Sequence, residues 1–240
     1  MAALVWISGA SSGIGEALAR TVPGERDRVI SISRRAPGGI EHLPADLCDP
    51  ASWREVGACF QRELAAFEGD RVVFIHAAGT IEPLGFAGEV DTDGYAANVV
   101  LNSTAPQVLG HLFLAAARHV EAACHLVMLT SGAARSVYPG WSSYGAGKAA
   151  IDQWVRNVGV EQDRRGGTQV LSIAPGTVDT DMQATLRAAT EDAFPQRQKF
   201  LDLHRDDRLS DPIDVAERIW RLLERGLDNG SVVDLREIDD

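Results

Sequence analysis

Apolar runs of five to seven residues recur along the chain, each followed by a longer stretch whose apolar positions repeat every three or four residues. The runs Ala3–Ser8, Arg28–Ser33, Arg71–His76, His125–Ser131 and Thr168–Ala174 are rich in Val, Ile and Leu, and a last one, Ser231–Asp234, comes close to the C-terminus. Near-continuous apolar runs are what strands covered on both faces require. Between them Trp53, Val56, Phe60, Leu64 and Phe67 step by three and four. Ala216, Ile219, Leu223 and Leu227 do the same behind an Asp211-Pro212 start signal. The alternation predicts an α/β fold, one domain over 1–240 built on a doubly wound parallel sheet of about seven strands with helices on both faces. A closed eight-stranded barrel needs more strands.

Only seven residues, with Pro37, Gly38 and Gly39 among them, separate Ser33 from a short run at Glu41–Ala45. A parallel crossover normally takes a dozen or more residues and a helix, so an irregular link or a weak edge strand is expected there. The stretch Thr190–Leu209, charged and aromatic around Pro195, reads as part of a helical insertion over 185–210 rather than a second domain.

Composition narrows the classes of function. The 240 residues carry 23 basic and 34 acidic side chains, a formal net charge of −11. That balance argues against non-specific nucleic-acid binding and against anionic membrane surfaces. No unbroken apolar run approaches the ~18–20 residues of a membrane span, and Ala2 to Ser8 reads as a strand rather than a leader. Three scattered cysteines, Cys48, Cys59 and Cys124, make no disulfide framework, so a reducing cytoplasm is expected. The histidines at 42, 111, 119, 125 and 204 show no metal-binding spacing.

Ser8-Gly9-Ala10-Ser11-Ser12-Gly13-Ile14-Gly15 follows the first strand and opens a helix carrying Ile14, Leu18 and Val22. Such glycines let the backbone turn sharply and approach an anion closely, and the helix N-terminus offers free N–H groups to a pyrophosphate. A plain strand-to-helix turn needs one glycine, not three. Gly9 to Gly13 also fits G-x-S-x-G, the nucleophile elbow of an α/β-hydrolase, with Ser11 as nucleophile. Against the hydrolase stand the lack of an earlier strand–helix loop for an oxyanion hole and a downstream histidine, His204, found only in the insertion.

Tyr144 and Lys148, four residues apart, share one helix face, and Ile151, Val155 and Val158 continue the stripe. A lysine heading an apolar stripe either finds a buried partner or snorkels its ammonium to water.

Together these motifs resemble the short-chain dehydrogenase/reductase family, a single-domain Rossmann-type fold, over nearly the whole chain. Ser8–Gly15 is similar to the family's TGxxxGIG turn, with Ser8 for Thr, and His76-Ala77-Ala78-Gly79 to its NNAG, with His76 for the first Asn. Tyr144 and Lys148 match YxxxK, with Ser131 thirteen residues before the tyrosine, and Pro175-Gly176 through Met182 matches the motif after the sixth strand. The resemblance implies a catalytic set of Asn102, Ser131, Tyr144 and Lys148, with Asn98 the competitor for Asn102. It implies dinucleotide binding through Gly9, Ser11, Ser12, Gly13, Ile14, Gly15, Ala77, Ala78, Gly79, Tyr144, Lys148, Pro175, Gly176, Val178 and Thr180, with adenine contacts from Asp46 and Leu47. In that scheme Tyr144 gives its proton to a carbonyl as hydride arrives from the nicotinamide. Lys148 lowers the phenol's pKa from about 10 and binds the nicotinamide ribose. Ser131 holds the substrate oxygen, and Asn102 keeps a water that links Lys148 to solvent.

The second strand ends Ser31-Ile32-Ser33-Arg34-Arg35, without a carboxylate. An acidic residue there binds the ribose 2′-OH of NAD, whereas an arginine accommodates the 2′-phosphate of NADP. Ser33 and Arg34 therefore predict NADP(H), the alternative being a solvated arginine pair. Gly140-Trp141-Ser142-Ser143-Tyr144 and the ending Gly230–Asp234 resemble the sepiapterin and benzil reductase branch. That implies an NADPH-dependent carbonyl reductase acting on a small ketone or diketone, aromatic or pterin-like. Tyr138, Trp141 and Met182 would line the substrate pocket beside Ser131, or simply pack the core, with the 185–210 insertion nearby and Asp234 as an anchor for a substrate amine. A catalytically silent dinucleotide sensor is the alternative function. The expected partners are the carbonyl substrate and further copies of the chain, as a homodimer or homotetramer through helices near 104–120 and 142–164, with no nucleic acid, membrane or metal. The charged run Arg236–Asp240 reads as a solvated tail.

Overall fold

Strands β1 (Ala3–Ser8), β2 (Arg28–Ser33), β3 (Glu41–Pro44), β4 (Arg71–His76), β5 (Ala123–Leu129), β6 (Gln169–Ala174) and β7 (Val232–Asp234) all pair in parallel in the computed structural model, which describes residues 2–238. Their order is β3-β2-β1-β4-β5-β6-β7. β1 is buried along its whole length, as a central parallel strand with both faces covered must be. The winding reverses between β1 and β4, which leaves a crevice at their C-terminal ends. The glycine turn and the segment after His76 both start there.

Among the described residues eight α-helices accompany the sheet: α1 (Gly13–Arg20), α2 (Pro50–Ala65), α3 (Thr92–Val99), α4 (Ala105–Ala117), α5 (Ser142–Asp163), α6 (Asp181–Ala188), α7 (Arg197–Arg205) and α8 (Pro212–Leu223). On one face α2, α4 and α5 bury a ring cluster of Trp6, Phe60, Phe74 and Phe113, with Trp6 and Phe60 meeting edge to face at 5.2 Å. On the other, α1 and α8 bury Leu18, Ile219 and Trp220, and Trp220 Nε1 donates to the Leu18 carbonyl at 3.2 Å. Helix starts follow the capping rules. Asp49 accepts from Ala51 N and Asp211 from Ile213 N, each ahead of a proline that has no N–H to satisfy.

Several boundaries differ from the sequence pattern. β5 stops two residues before Ser131, whose Oγ accepts from Ala133 N and starts a 3₁₀ turn over Gly132–Ala134. Phe67 and Leu227 fall beyond α2 and α8 yet still pack on the sheet. The β2–β3 link carries no helix, and β3 is a short edge strand where Pro44 costs no ladder bond. The insertion folds back as α6 and α7, so that Leu186, Phe194 and Phe200 pack with Trp141 and Tyr144.

One π turn, Val100–Thr104, joins α3 to α4: the Ala105 N–H bonds the Val100 carbonyl five residues back. Pro106 supplies the reason. Having no N–H, it leaves the Asn102 carbonyl without its α-helical donor, and the chain widens there. The continuous helix Thr92–Ala117 is long and apolar enough to cross a membrane by length and composition, which no unbroken run in the sequence foretold. In the fold its residues Ala105, Leu109 and Phe113 are buried against the sheet. At the other end, Leu235–Glu237 form a 3₁₀ turn tied down by Asp234 and Arg236, so that part of the expected tail is structured. Asp239 and Asp240 lie outside the described residues.

Candidate active site

The glycine turn is built around close backbone approaches. Gly9 has φ +71°, and a Cβ there would sit 2.9 Å from the Ala78 backbone; one on Gly15 would sit 2.3 Å from the Gly9 carbonyl oxygen. The turn is thus a cradle that side chains would fill. Ser12 occupies the N-cap position of α1 without capping it, which leaves its hydroxyl and the first helical N–H groups free for an anion. Ser11 and Ile14 flank it half-buried. The loop after β6 closes the other side, with Thr180 Cγ2 3.3 Å from where a Gly13 Cβ would be. Half-buried Pro175 and Gly176 lead into it, and Val178 is buried beside Ser210.

At the end of β2, Ser33 Oγ bonds Ser31 Oγ at 2.8 Å and donates to the Arg35 carbonyl at 2.7 Å. Arg34 projects outward, exposed, and its charge reaches Cys48, next to the Asp46-Leu47 pair. Asp46 is exposed with one oxygen accepting from Cys48 N, whereas the Leu47 side chain is buried in the core.

The Tyr144–Lys148 stripe is buried. Lys148 Nζ donates to the Leu129 carbonyl at 2.9 Å and lies 5.7 Å from the centroid of the Tyr144 ring. Asn98 and Asn102 are both fully buried and hydrogen-bonded to each other. Asn98 donates to the carbonyls of Thr80 and Glu82, stapling the loop after β4. Asn102 is the one that shares Gly79 as a neighbour with the lysine. A Cβ on Gly79 would lie 2.9 Å from Asn102 Oδ1 and 3.5 Å from Lys148 Nζ, and one on Gly147 would lie 3.3 Å from the Asn102 carbonyl oxygen. The carbonyl that Pro106 deprives of its helical donor therefore faces α5 one residue before Lys148. Gly79 and Gly147 must stay small for this contact; both stand next to motif residues, but only the packing reveals their use.

Burial pushes Lys148 down to about 8, partly offset by Asp152 one turn further on, which itself accepts from Ser172 Oγ at 2.8 Å. Burial pushes Tyr144 up, opposed by a side-chain hydrogen bond with Ser131. In the chain by itself desolvation outweighs that hydrogen bond. His76 is buried against Ser8. Ser8 Oγ accepts from Ala77 N and Ala78 N and hydrogen-bonds His76 Nδ1 at 3.1 Å. Burial first, then the charge of Lys148, pushes its pKa down to about 3. The histidine thereby does the positioning work of an uncharged polar residue, holding the Ala77–Gly79 segment.

Trp141 is packed between Tyr144 and Phe194, at 5.0 and 4.9 Å between ring centroids, and Met182 borders the same cluster. Tyr138 is half-buried and accepts from Lys199 Nζ at 2.7 Å. An open groove of about 520 Å³ runs past Phe86, Tyr138 and Trp141. Asp234 is not free to hold an amine. Its Oδ1 accepts from Arg236 N and Nε, its Oδ2 from Arg236 Nη2 at 2.6 Å, and Arg135 Nη2 lies 3.6 Å away. The hydrolase reading also lacks its base. Among the described residues the hydrogen-bonded histidines are His76, His42 and His125, none on Ser11, and His204 is exposed on α7.

The family model described as short chain dehydrogenase matches residues 3–191. A benzil reductase ((S)-benzoin forming) of Bacillus subtilis (strain 168) is 32% identical over 236 residues, which is 96% of this chain and 97% of the relative. A sepiapterin reductase of Xenopus laevis is 30% identical over 242 residues, 91% and 89% of the two chains. Among solved structures, that of the KRED1-Pglu enzyme superposes with a TM-score of 0.81 at 26% identity, covering 96% of this chain and 99% of the other.

Proposed function

This chain belongs to the short-chain dehydrogenase family and is an oxidoreductase; on that premise we propose that it reduces the carbonyl of a small ketone or diketone to an alcohol, with NADPH as hydride donor. The observation that carries the reading is the buried pair Tyr144 and Lys148, the phenol hydrogen-bonded to Ser131 and the ammonium anchored on Leu129. When bound, the reduced nicotinamide supplies the hydride.

The chain handles the oxygen and the proton. Ser131 and the Tyr144 hydroxyl hold the carbonyl oxygen, and Tyr144 gives up its proton as the alcohol forms. The Lys148 ammonium, close to the ring, favours the phenolate left behind. The freed Asn102 carbonyl suits a water that returns a proton from solvent by way of Lys148. The cradle of Gly9, Gly13 and Gly15, with Ser11, Ser12, Ile14 and Thr180, fits a pyrophosphate. The exposed Arg34 fits a ribose 2′-phosphate, with Asp46 and the Leu47 backbone toward the adenine. The aromatic cluster around Trp141, and the similarity to benzil and sepiapterin reductases, favour an aromatic or pterin-like carbonyl. A homodimer or homotetramer in the cytoplasm completes the reading.

The test follows absorbance at 340 nm with NADPH or NADH and a panel of aromatic 1,2-diketones, pterin ketones and quinones. Turnover with NADPH is expected to fall by roughly 10²–10⁴-fold in Tyr144→Phe while dinucleotide binding persists. Binding without turnover of any carbonyl would favour a dinucleotide sensor. Loss of dinucleotide binding altogether in the unaltered protein would overturn the reading.

A further inference from the structure

β5, β6 and β7 lie side by side in parallel, so the segments leaving their C-terminal ends share one rim of the sheet. Ser131 leaves β5, Pro175-Gly176 leaves β6, and Asp234 ends β7. Arg236 folds back across this rim. Its Cγ and Cδ lie 3.3 Å from where a Gly176 Cβ would be, and its Nη2 lies 3.6 Å from where a Gly132 Cβ would be, one residue past Ser131. Arg135, at the end of the 3₁₀ turn that Ser131 caps, reaches the same carboxylate from the other side.

The two signs of charge are unequally presented. The Asp234 side chain is 1% exposed, whereas those of Arg135 and Arg236 are 46% and 59% exposed. Arg236 spends Nε and one Nη2 hydrogen on Asp234, which leaves the rest of its guanidinium fork for another acceptor. Arg135 approaches Asp234 only at ion-pair distance. Among the described residues, other charged groups near this rim include Glu237, exposed beside Arg236, Lys199, whose ammonium sits on Tyr138, and Arg218, whose Nη2 donates to the carbonyls of Leu235 and Ile238. A molecule entering toward Ser131 meets guanidinium donors, not the carboxylate.

We propose that Arg135 and Arg236 form an anion-recognition pair at the substrate end of the site, and that the preferred substrate is a carbonyl compound carrying a carboxylate next to an aromatic or apolar group. A carboxylate takes the guanidinium fork in charge-assisted hydrogen bonds, and Arg236 is within electrostatic reach of Tyr138, whose ring packs on Trp141. An amine-bearing substrate is disfavoured by the same charges. The inference rests on the reductase reading and sharpens its substrate class.

The probes are benzoylformate, which carries the carboxylate, and benzil, which does not, each assayed with NADPH. In the unaltered protein kcat/KM for benzoylformate is expected to exceed that for benzil, and added salt is expected to erode only that advantage. Arg135→Gln is expected to lower the benzoylformate-to-benzil ratio about tenfold or more, mainly through KM. Arg236→Gln is expected to do the same, but it also unseals a buried carboxylate, so Arg135→Gln is the variant that keeps the test sound if the other misfolds. Reduction of benzil with benzoylformate neither reduced nor inhibitory overturns the anion pair and leaves the reductase standing, as does an equal fall for both probes in Arg135→Gln. No turnover of either probe, or of any other carbonyl, overturns both.

Discussion

The ammonium of Lys148 donates to the main-chain carbonyl of Leu129 across 2.9 Å, tying helix α5 to the last residue of β5. With Thr130 Oγ1 donating back to the Lys148 carbonyl at 3.4 Å, this bond holds α5 over the strand end from which Ser131 emerges and keeps the charge near the Tyr144 ring. The same burial that fixes the lysine weakens its hold on a proton.

A consequence for catalysis is an alkaline limit. Burial pushes Lys148 down to about 8, and the proposed reduction needs it charged. The plot of kcat/KM against pH, which reports groups of the free enzyme, is expected to be level below the limit and to fall as pH rises through about 8. Lys148→Arg, charged at all these pH values, is expected to be slower but to lose the fall. A limb unchanged in that variant would assign it to another group.

Cofactor choice is expected to rest on Arg34. Ser33 has its hydroxyl engaged by Ser31 and Arg35, so the exposed guanidinium is the group available for a phosphate. Arg34→Gln is expected to lower the NADPH-to-NADH ratio of kcat/KM by about tenfold or more. An unaltered ratio would count against the assignment.

Gly15→Ala places a methyl group 2.3 Å from the Gly9 carbonyl oxygen, a backbone atom that cannot swing aside. A displaced turn and a loss of about 1–3 kcal/mol of stability are expected. Thermal unfolding with and without NADPH reads both effects, since the shift produced by the dinucleotide should shrink as the melting temperature drops.

His76 predicts an acid-side weakness. Its folded pKa is depressed to about 3 from an ordinary 6.5. The unfolded chain therefore binds a proton that the native ring refuses. The stability this group contributes is complete above about pH 6.5 and is lost progressively as pH falls toward 3. Urea midpoints for the protein and for His76→Asn at pH 7.5 and pH 5 are expected to show a smaller drop in the variant; equal drops would refute the role given to the ring.

Much of the architecture was legible along the chain because parallel strands buried on both faces leave unbroken apolar runs. β1, β2 and β4 fall on the runs read for them, and the Asp211-Pro212 start of α8 is where its capping chemistry demands. The glycine turn was legible for a related reason: only residues without a Cβ tolerate the approach of Gly9 to Ala78 and of Gly15 to Gly9. The end of β5 was misread because Ser131 keeps an extended backbone while its side chain caps a turn. The apolar run continues past the point where ladder pairing stops.

Local chemistry decided which segments become strands, where helices begin, and that Tyr144 and Lys148 share a face, because each depends on residues within a few positions of one another. The tertiary structure decided the rest. Pro106 is visible in the sequence, but only packing turns the Asn102 carbonyl toward Gly147. Asp234 reads as an anchor for a substrate amine, yet the fold buries it beneath Arg236 and Arg135 and leaves the two guanidiniums exposed. Tyr144 and Lys148 could be paired by spacing, but their proton affinities follow from how completely the sheet, α5 and the folded-back α6–α7 segment exclude water. Desolvation depends on everything that surrounds a group, and no local stretch of sequence carries that information.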